Sequence, residues 1–234
     1  MYHDNSCHGE DAYVTRELQP HSVLDAVLDG ATGRGGADAS AYAAQMLQGA
    51  TVETFDGLAN LLDIANTRLF QRGKGRFFLT TAAVALKIGP LLHVVSVGDS
   101  SVFLIRGVDI VPLTLITVGP TFLGISNGLG RRETLSYKTT CVSLSLQDRL
   151  VLATDGLLEN VAPSELVALI GAIPSPAEAV SALRQLVCEK KRTNKGRVDD
   201  RSGFRHDDAT AIIRYVGLPS SPEASGSPHN SQVV

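Results

Sequence analysis

Four aspartates stand where an apolar run stops or starts. Asp29 closes Val23–Leu28 and precedes Gly30, Asp99 closes His93–Gly98, Asp155 closes Arg149–Thr154 and precedes Gly156, and Asp207 stands just before Ala209–Val216. An Asp or Asp-Gly at such a place is ordinarily a turn residue, and Asp56-Gly57, which opens a helical stretch, carries no chemistry. Four sites in one chain point further. Carboxylates gathered at one rim repel one another and leave water at a cost unless a cation joins them. Oxygen ligands with neither His nor Cys beside them select a hard ion, Mg²⁺ or Mn²⁺. With Glu10-Asp11 at the start of the first strand-like stretch, the set can hold two metals. Such a pair suits in-line attack of an activated water on phosphorus.

The elements that must position these residues follow from periodicity. Strand-like stretches at Ala12–Val14 and Val23–Asp29 open the body. Ala39–Leu47 and Leu58–Phe70 then carry apolar residues at helical spacing, with Leu58, Leu61, Leu62, Ala65 and Leu69 on one face. After Gly73 come short β-rich runs at Leu79–Ile88, Leu91–Val97, Val102–Ile105, Ile110–Leu113, Thr134–Leu146 and Arg149–Ala153, the first two separated by Gly89-Pro90. Pro163 suits the first turn of a helix, and Ser175-Pro176-Ala177-Glu178 predicts a capped helix running to about Lys191. A last strand spans Ala209–Val216. Helix pairs between blocks of strands indicate α+β rather than steady βαβ alternation.

The motifs Gly9-Glu10-Asp11-Ala12, Leu28-Asp29-Gly30-Ala31-Thr32-Gly33, Val97-Gly98-Asp99-Ser100, Ala153-Thr154-Asp155-Gly156-Leu157 and Asp207-Asp208-Ala209-Thr210 occur in that order, with Asn127-Gly128-Leu129-Gly130 between the third and fourth. From about residue 9 to 216 the chain resembles the metal-dependent serine/threonine protein phosphatases, the PPM or type 2C family. The resemblance implies a four-layer αββα sandwich, two antiparallel sheets flanked by helices, with two Mn²⁺ or Mg²⁺ ions at one end and a third in many members. Carried over by position, it implies that Asp29 bridges both metals, with the Gly30 carbonyl as a further ligand. The same resemblance implies Asp155 and Asp207 as the other direct ligands, Glu10 and Asp11 as residues that would hold one metal directly or through water, and Asp99 as a residue that would serve the third. Thr117–Gly130 falls where the family carries its flap.

Three departures stand out. The family places a strand and a phosphate-gripping arginine just before the Glu-Asp pair, where this chain has Ser6, Cys7 and His8. Some members place a histidine general acid after the first Asp-Gly, where this chain has Ala31, Thr32 and Arg34. Asp208 stands where Asn is common. Arg34, close in sequence to Asp29, is the candidate for the missing phosphate grip, and the basic loop Lys190–Arg205 is the other source.

Composition bounds the rest. The 234 residues are 44% apolar and 19% charged with net charge −3, which argues for a single folded body and against a general polyanion binder. Cys7, Cys141 and Cys188 are too scattered for a disulfide framework or a zinc site, and Cys141 and Cys188 read as core. The uncharged run Ile110–Gly130 is broken by Pro112, Pro120 and several glycines, against a membrane span. No signal peptide is visible, so a cytoplasmic protein is expected. From Leu218 to Val234, nine of seventeen residues are Ser, Pro or Gly, the composition of a disordered tail after a phosphatase domain at 1–217. Gly30–Gly36 lacks the Gly-Lys-Ser/Thr ending of a phosphate-binding loop, and His93 reads as a half-buried structural residue.

Two functions follow. The first is a monomeric enzyme that hydrolyses phosphoserine and phosphothreonine in protein substrates of a serine/threonine kinase, with no nucleic-acid or membrane partner. The second is a catalytically weak adaptor that binds a phosphorylated partner. The missing arginine favours the adaptor; the retained carboxylates favour the enzyme.

Overall fold

The computed structural model describes residues 1–19, 21–114, 127–193 and 204–217. The expected tail and most of the expected flap lie outside the described residues. The strands are β1 (Tyr2–Asp4), β2 (Asp11–Gln19), β3 (Ser22–Asp29), β4 (Ala82–Ile88), β5 (Leu91–Val97), β6 (Ser101–Arg106), β7 (Asp109–Pro112), β8 (Lys138–Ser143), β9 (Arg149–Ala153) and β10 (Ala209–Tyr215). The helices are α1 (Gly36–Gly49), α2 (Phe55–Gly73), α3 (Asp155–Leu158), α4 (Pro163–Ala172) and α5 (Pro176–Thr193). One sheet runs β1-β10-β9-β6-β7 and the other β2-β3-β4-β5-β8, and the pairings are antiparallel.

Period-two alternation sorts each strand between two layers. Leu24, Ala26 and Leu28 of β3 pack under α1 and α2, while Val27 joins Ala83, Leu92, Leu104, Leu152 and Ile212 between the sheets. On the other sheet Phe103, Val151, Ala211 and Ile213 pack under Leu157, Leu166, Ile170, Leu183 and Val187 of the remaining helices. The result is the expected four-layer αββα sandwich. The same parity puts Asp25 and Asp29 on the face of Val27, between the sheets. Asp29 ends its strand at one rim; Asp25 lies deeper, where Arg214 of β10 grips it across the sandwich at 2.6 and 2.7 Å.

The helices follow their sequence signals. Thr54 caps α2 by accepting from Gly57 N–H, and Leu58, Leu62, Ala65 and Leu69 are buried at helical spacing. Pro163 opens α4, where the Glu165 carboxylate takes the Ala162 N–H, and Ser175 Oγ accepts from Glu178 N–H at the start of α5.

Three expectations are corrected. A strand does precede the Glu-Asp pair: β1, three residues long, pairs with β10 and shows no period of its own. The strands expected at Leu79–Ile88 and Thr134–Leu146 narrow to β4 and β8, because Leu79–Thr81 and residues 134–137 serve as connections. Cys141 and Cys188 are exposed rather than core. Cys141 sits on β8 at the sheet edge, and Cys188 is one position beyond the Ala179, Leu183, Val187 stripe that buries α5.

Candidate metal centre

Five segments bring carboxylates to one rim of the sandwich. Asp11 begins β2 and is the cross-strand partner of Asp29 at the end of β3. Asp99 lies in the turn that carries the chain from β5 of one sheet to β6 of the other, Asp155 opens α3, and Asp207 precedes β10. Carboxylate oxygens of Asp29, Asp99 and Asp155 all lie within 4.8 Å of one another. Asp99, expected at a third site, therefore stands in the same trio as Asp29 and Asp155.

The two Asp-Gly pairs are close approaches rather than turns. Neither Gly30 nor Gly156 has a positive φ. A Cβ on Gly30 would lie 2.4 Å from the carbonyl carbon of Gly36, and one on Gly156 would lie 2.0 Å from the carbonyl oxygen of Asp208. Glycine at Gly30 lets α1 seat on the Asp29 strand end. At Gly156 it lets α3 bring Asp155 against the Asp207–Asp208 chain.

Hydroxyls and amides fix the backbone beneath the acids. Thr81 Oγ1 accepts from Asp29 N–H and meets Ser100 Oγ at 2.8 Å, tying the Asp29 strand to the Asp99 turn. Thr80 Oγ1 donates to the Asp29 carbonyl, and Ser40 Oγ to the Glu10 carbonyl, which also takes the Gly30 N–H. Asn160 clamps the Asp155 and Asp207 segments by donating to the carbonyls of Gly156 and Arg205 and accepting from Arg205 N–H.

Asp207 and Asp208 differ in task. Asp208 is 3% exposed, and its carboxylate accepts backbone N–H groups from Cys7, His8 and Glu10 at 2.8–3.0 Å. It builds the turn that presents Glu10. Among these supports, Ser100 and Asp208 stand directly beside motif aspartates, which marks them in the sequence. Thr80, Thr81 and Asn160 carry no such mark.

The electrostatics are those of acids crowded without a counter-ion. Burial, then Asp155, Asp11, Asp99 and Asp207, pushes Asp29 well above the carboxylate range. Burial and the neighbouring Asp99 and Asp207 raise Asp155 to about 7. Burial raises Asp11 to about 7 against the opposing hydrogen bonds from Thr210 and Thr154. Asp99 is raised by burial, and Glu159, which the sequence reading missed, by burial and by Asp207 and Asp99. Glu10 Oε2, Asp11 Oδ1 and Asp99 Oδ1 are buried with no hydrogen-bond partner. Bare buried carboxylate oxygens at one rim, without His or Cys among them, fit hard divalent cations.

Arg34 lies in the exposed turn between Gly30 and α1, its N–H on the Ala31 carbonyl and its own carbonyl on Phe78 N–H. Of the basic loop, Lys190 and Lys191 are engaged with Glu165 and Asp4, while residues 194–203 lie outside the described residues.

The fold recurs in known proteins. The structure of a bacterial serine phosphatase superposes with TM-score 0.77 at 20% identity, over 93% of this chain and 97% of that one. Serine/threonine phosphatase Stp1 from Staphylococcus aureus gives 0.77 at 20%, over 93% and 94%. The serine/threonine phosphatase PstP/Ppp of Mycobacterium tuberculosis gives 0.72 at 19%, over 90% and 93%. No curated protein sequence matches significantly. The family model of stage II sporulation protein E (SpoIIE) matches residues 14–214. With most of its length so matched, and with the αββα fold of the bacterial serine/threonine phosphatases, the chain belongs to the SpoIIE family.

Proposed function

We propose that the chain hydrolyses phosphoserine and phosphothreonine in proteins with the help of Mn²⁺ or Mg²⁺ at the carboxylate rim. The observation that carries this reading is the half-buried trio Asp29, Asp99 and Asp155 together with the bare oxygens of Glu10, Asp11 and Asp99. Asp29, Asp155 and Asp207 would hold two ions, with the Gly30 carbonyl, Glu10 and Asp11 completing the set and Asp99 reaching a third. Bound there, such ions polarise phosphoryl oxygens and supply a nucleophilic water at neutral pH. The protein's own part is to hold these acids in place without metal. The Thr80–Thr81–Ser100 hydroxyls fix Asp29 and Asp99, and the Asn160 clamp fixes Asp155 and Asp207.

Arg34 would bind the substrate phosphate, since a guanidinium matches a phosphomonoester dianion bidentately. Its guanidinium has no hydrogen-bond partner among the described residues. The adaptor reading rests on the missing arginine, in whose expected neighbourhood stand Ser6, Cys7 and His8. It gives no reason to keep mutually repelling buried acids, so the enzyme reading is preferred. A phosphoprotein substrate of a serine/threonine kinase, a signalling role, a monomeric state and a cytoplasmic location belong to the same proposal. Among the described residues no helix is long and apolar enough to cross a membrane.

The test is aryl phosphate hydrolysis by two variants. Asp29→Asn should cost at least about 10²-fold in rate, comparable with losing one electrostatic stabiliser. Asp99→Asn should cost less, and equal mild losses would contradict the assignment.

A further inference from the structure

A buried carboxylate is most open to a cation at an oxygen that takes no hydrogen bond, and Asp11 treats its two oxygens unequally. The residue is 6% exposed. Oδ2 accepts from Thr154 Oγ1 at 3.0 Å and from Thr210 Oγ1 at 2.6 Å, whereas Oδ1 is buried with no partner.

Counting protons shows what aims those hydroxyls. Each hydroxyl has one proton to give. Thr154 Oγ1 accepts the Thr210 N–H at 2.9 Å, so its own proton is available to Asp11. Thr210 gives its proton to Asp11, which only accepts when ionised. Thr210 Oγ1 must then accept from its other neighbour, Nδ1 of His3, 2.8 Å away. That nitrogen therefore carries a proton. β1 places His3 directly opposite Thr210 in register, and the His3 ring meets Tyr13 edge-on with centroids 5.1 Å apart.

We propose that His3 is a positioning residue for the metal centre: its Nδ1–H directs the Thr210 hydroxyl onto Asp11 Oδ2 and so leaves Oδ1 as the oxygen for a cation. This deepens the metal-dependent reading above and rests on it. It also gives the short N-terminal strand a task. β1 joins no carboxylate to the rim itself, yet it carries a proton donor that, with Thr154, keeps the hydroxyl protons on Asp11 Oδ2 and Oδ1 bare. Outer-shell partners of this kind fix ligand orientation in metal sites.

Two measurements on the full chain test it. Long-range ¹H–¹⁵N correlation of ¹⁵N-histidine-labelled protein at about pH 8, above the ordinary histidine range, should find His3 protonated at Nδ1. A proton on Nε2 alone overturns the proposal whatever the metals do. In Mn²⁺ calorimetry, His3→Leu, which keeps bulk and loses the donor, should weaken binding about tenfold. His3→Asn, whose Nδ2–H can replace Nδ1–H, should stay near wild type. Should His3→Leu not fold, His3→Asp, which offers Thr210 only acceptors when ionised, supplies the same contrast with His3→Asn. Wild-type affinity in the donor-less variant overturns the positioning role. Absence of Mn²⁺ binding by the wild type overturns the metal reading itself, and with it the role assigned to His3.

Discussion

Gly30 and Gly36 touch backbone to backbone: a Cβ on either would lie 2.4 Å from the other's carbonyl carbon. Through this contact α1 seats on the strand end that carries Asp29. Gly36→Ala should therefore separate the two and cost roughly 1–3 kcal/mol, the usual range for overpacking. The comparison is Gly171→Ala in α4, where a Cβ meets open space. There alanine should gain about 0.5–1 kcal/mol from helix preference. Denaturant midpoints check both, and equal shifts would show that the contact yields freely.

Asp208→Asn tests the division of labour between the adjacent aspartates. Three N–H groups use both carboxylate oxygens of Asp208. A carboxamide has one acceptor oxygen and would turn an NH₂ toward another N–H. The expected loss is about 1–3 kcal/mol of stability, together with weaker Mn²⁺ binding as the Glu10 turn loosens. Asp207→Asn should instead lower hydrolysis while the unfolding midpoint holds. An Asp208→Asn protein as stable as wild type would contradict this.

The crowded acids also set a pH dependence. Asp11 and Asp155 are raised to about 7, whereas unfolded aspartates titrate near 3.9, about the model-peptide value. Between those values the native state binds more protons than the unfolded chain. Stability of the metal-free protein should thus fall as pH rises from about 5 to 8, by linkage. With Mn²⁺ present the trend should reverse, since the ion competes with those protons. Asp148, held low by the Arg106 guanidinium, acts only at more acid pH and does not mask the effect. A metal-free midpoint that stays flat over this interval would count against the crowding.

Much of this was legible in the sequence, for a physical reason. β3 and β9 are apolar runs long enough to show where they stop, and Asp29 and Asp155 mark those ends. The helices announced themselves through Leu58, Leu62 and Leu69 at 3.6-residue spacing. β1 was not legible, because three residues carry no period and its pairing partner lies about two hundred positions away. The roles of Asp207 and Asp208 could not be separated either: burial of one neighbour and not the other is decided by the Cys7–Glu10 turn folding onto β10. Thr80 and Thr81 support Asp29 from the connection that leads into β4, and no spacing in the chain records that.

Arg34→Ala tests the phosphate grip. The variant should raise KM for a phosphopeptide and lower kcat/KM while Mn²⁺ affinity stays near wild type. Neutralising Arg201 and Arg205 together should weaken only acidic or multiply phosphorylated substrates, and less so at high salt. An unchanged kcat/KM for Arg34→Ala on every phosphosubstrate would remove Arg34 from the site.

Phosphate release from a phosphothreonine peptide, followed with added Mn²⁺, with Mg²⁺ and with excess chelator, tests the central claim most directly. Oxygen ligands bind these ions with moderate affinity and leave waters on them. Turnover should appear with either ion, vanish in chelator and return when the ion is restored. Zn²⁺ should substitute poorly, because no thiolate or histidine stands in the trio. Full turnover in excess chelator, or none with either ion, would contradict a metal-dependent phosphatase built on Asp29, Asp99 and Asp155.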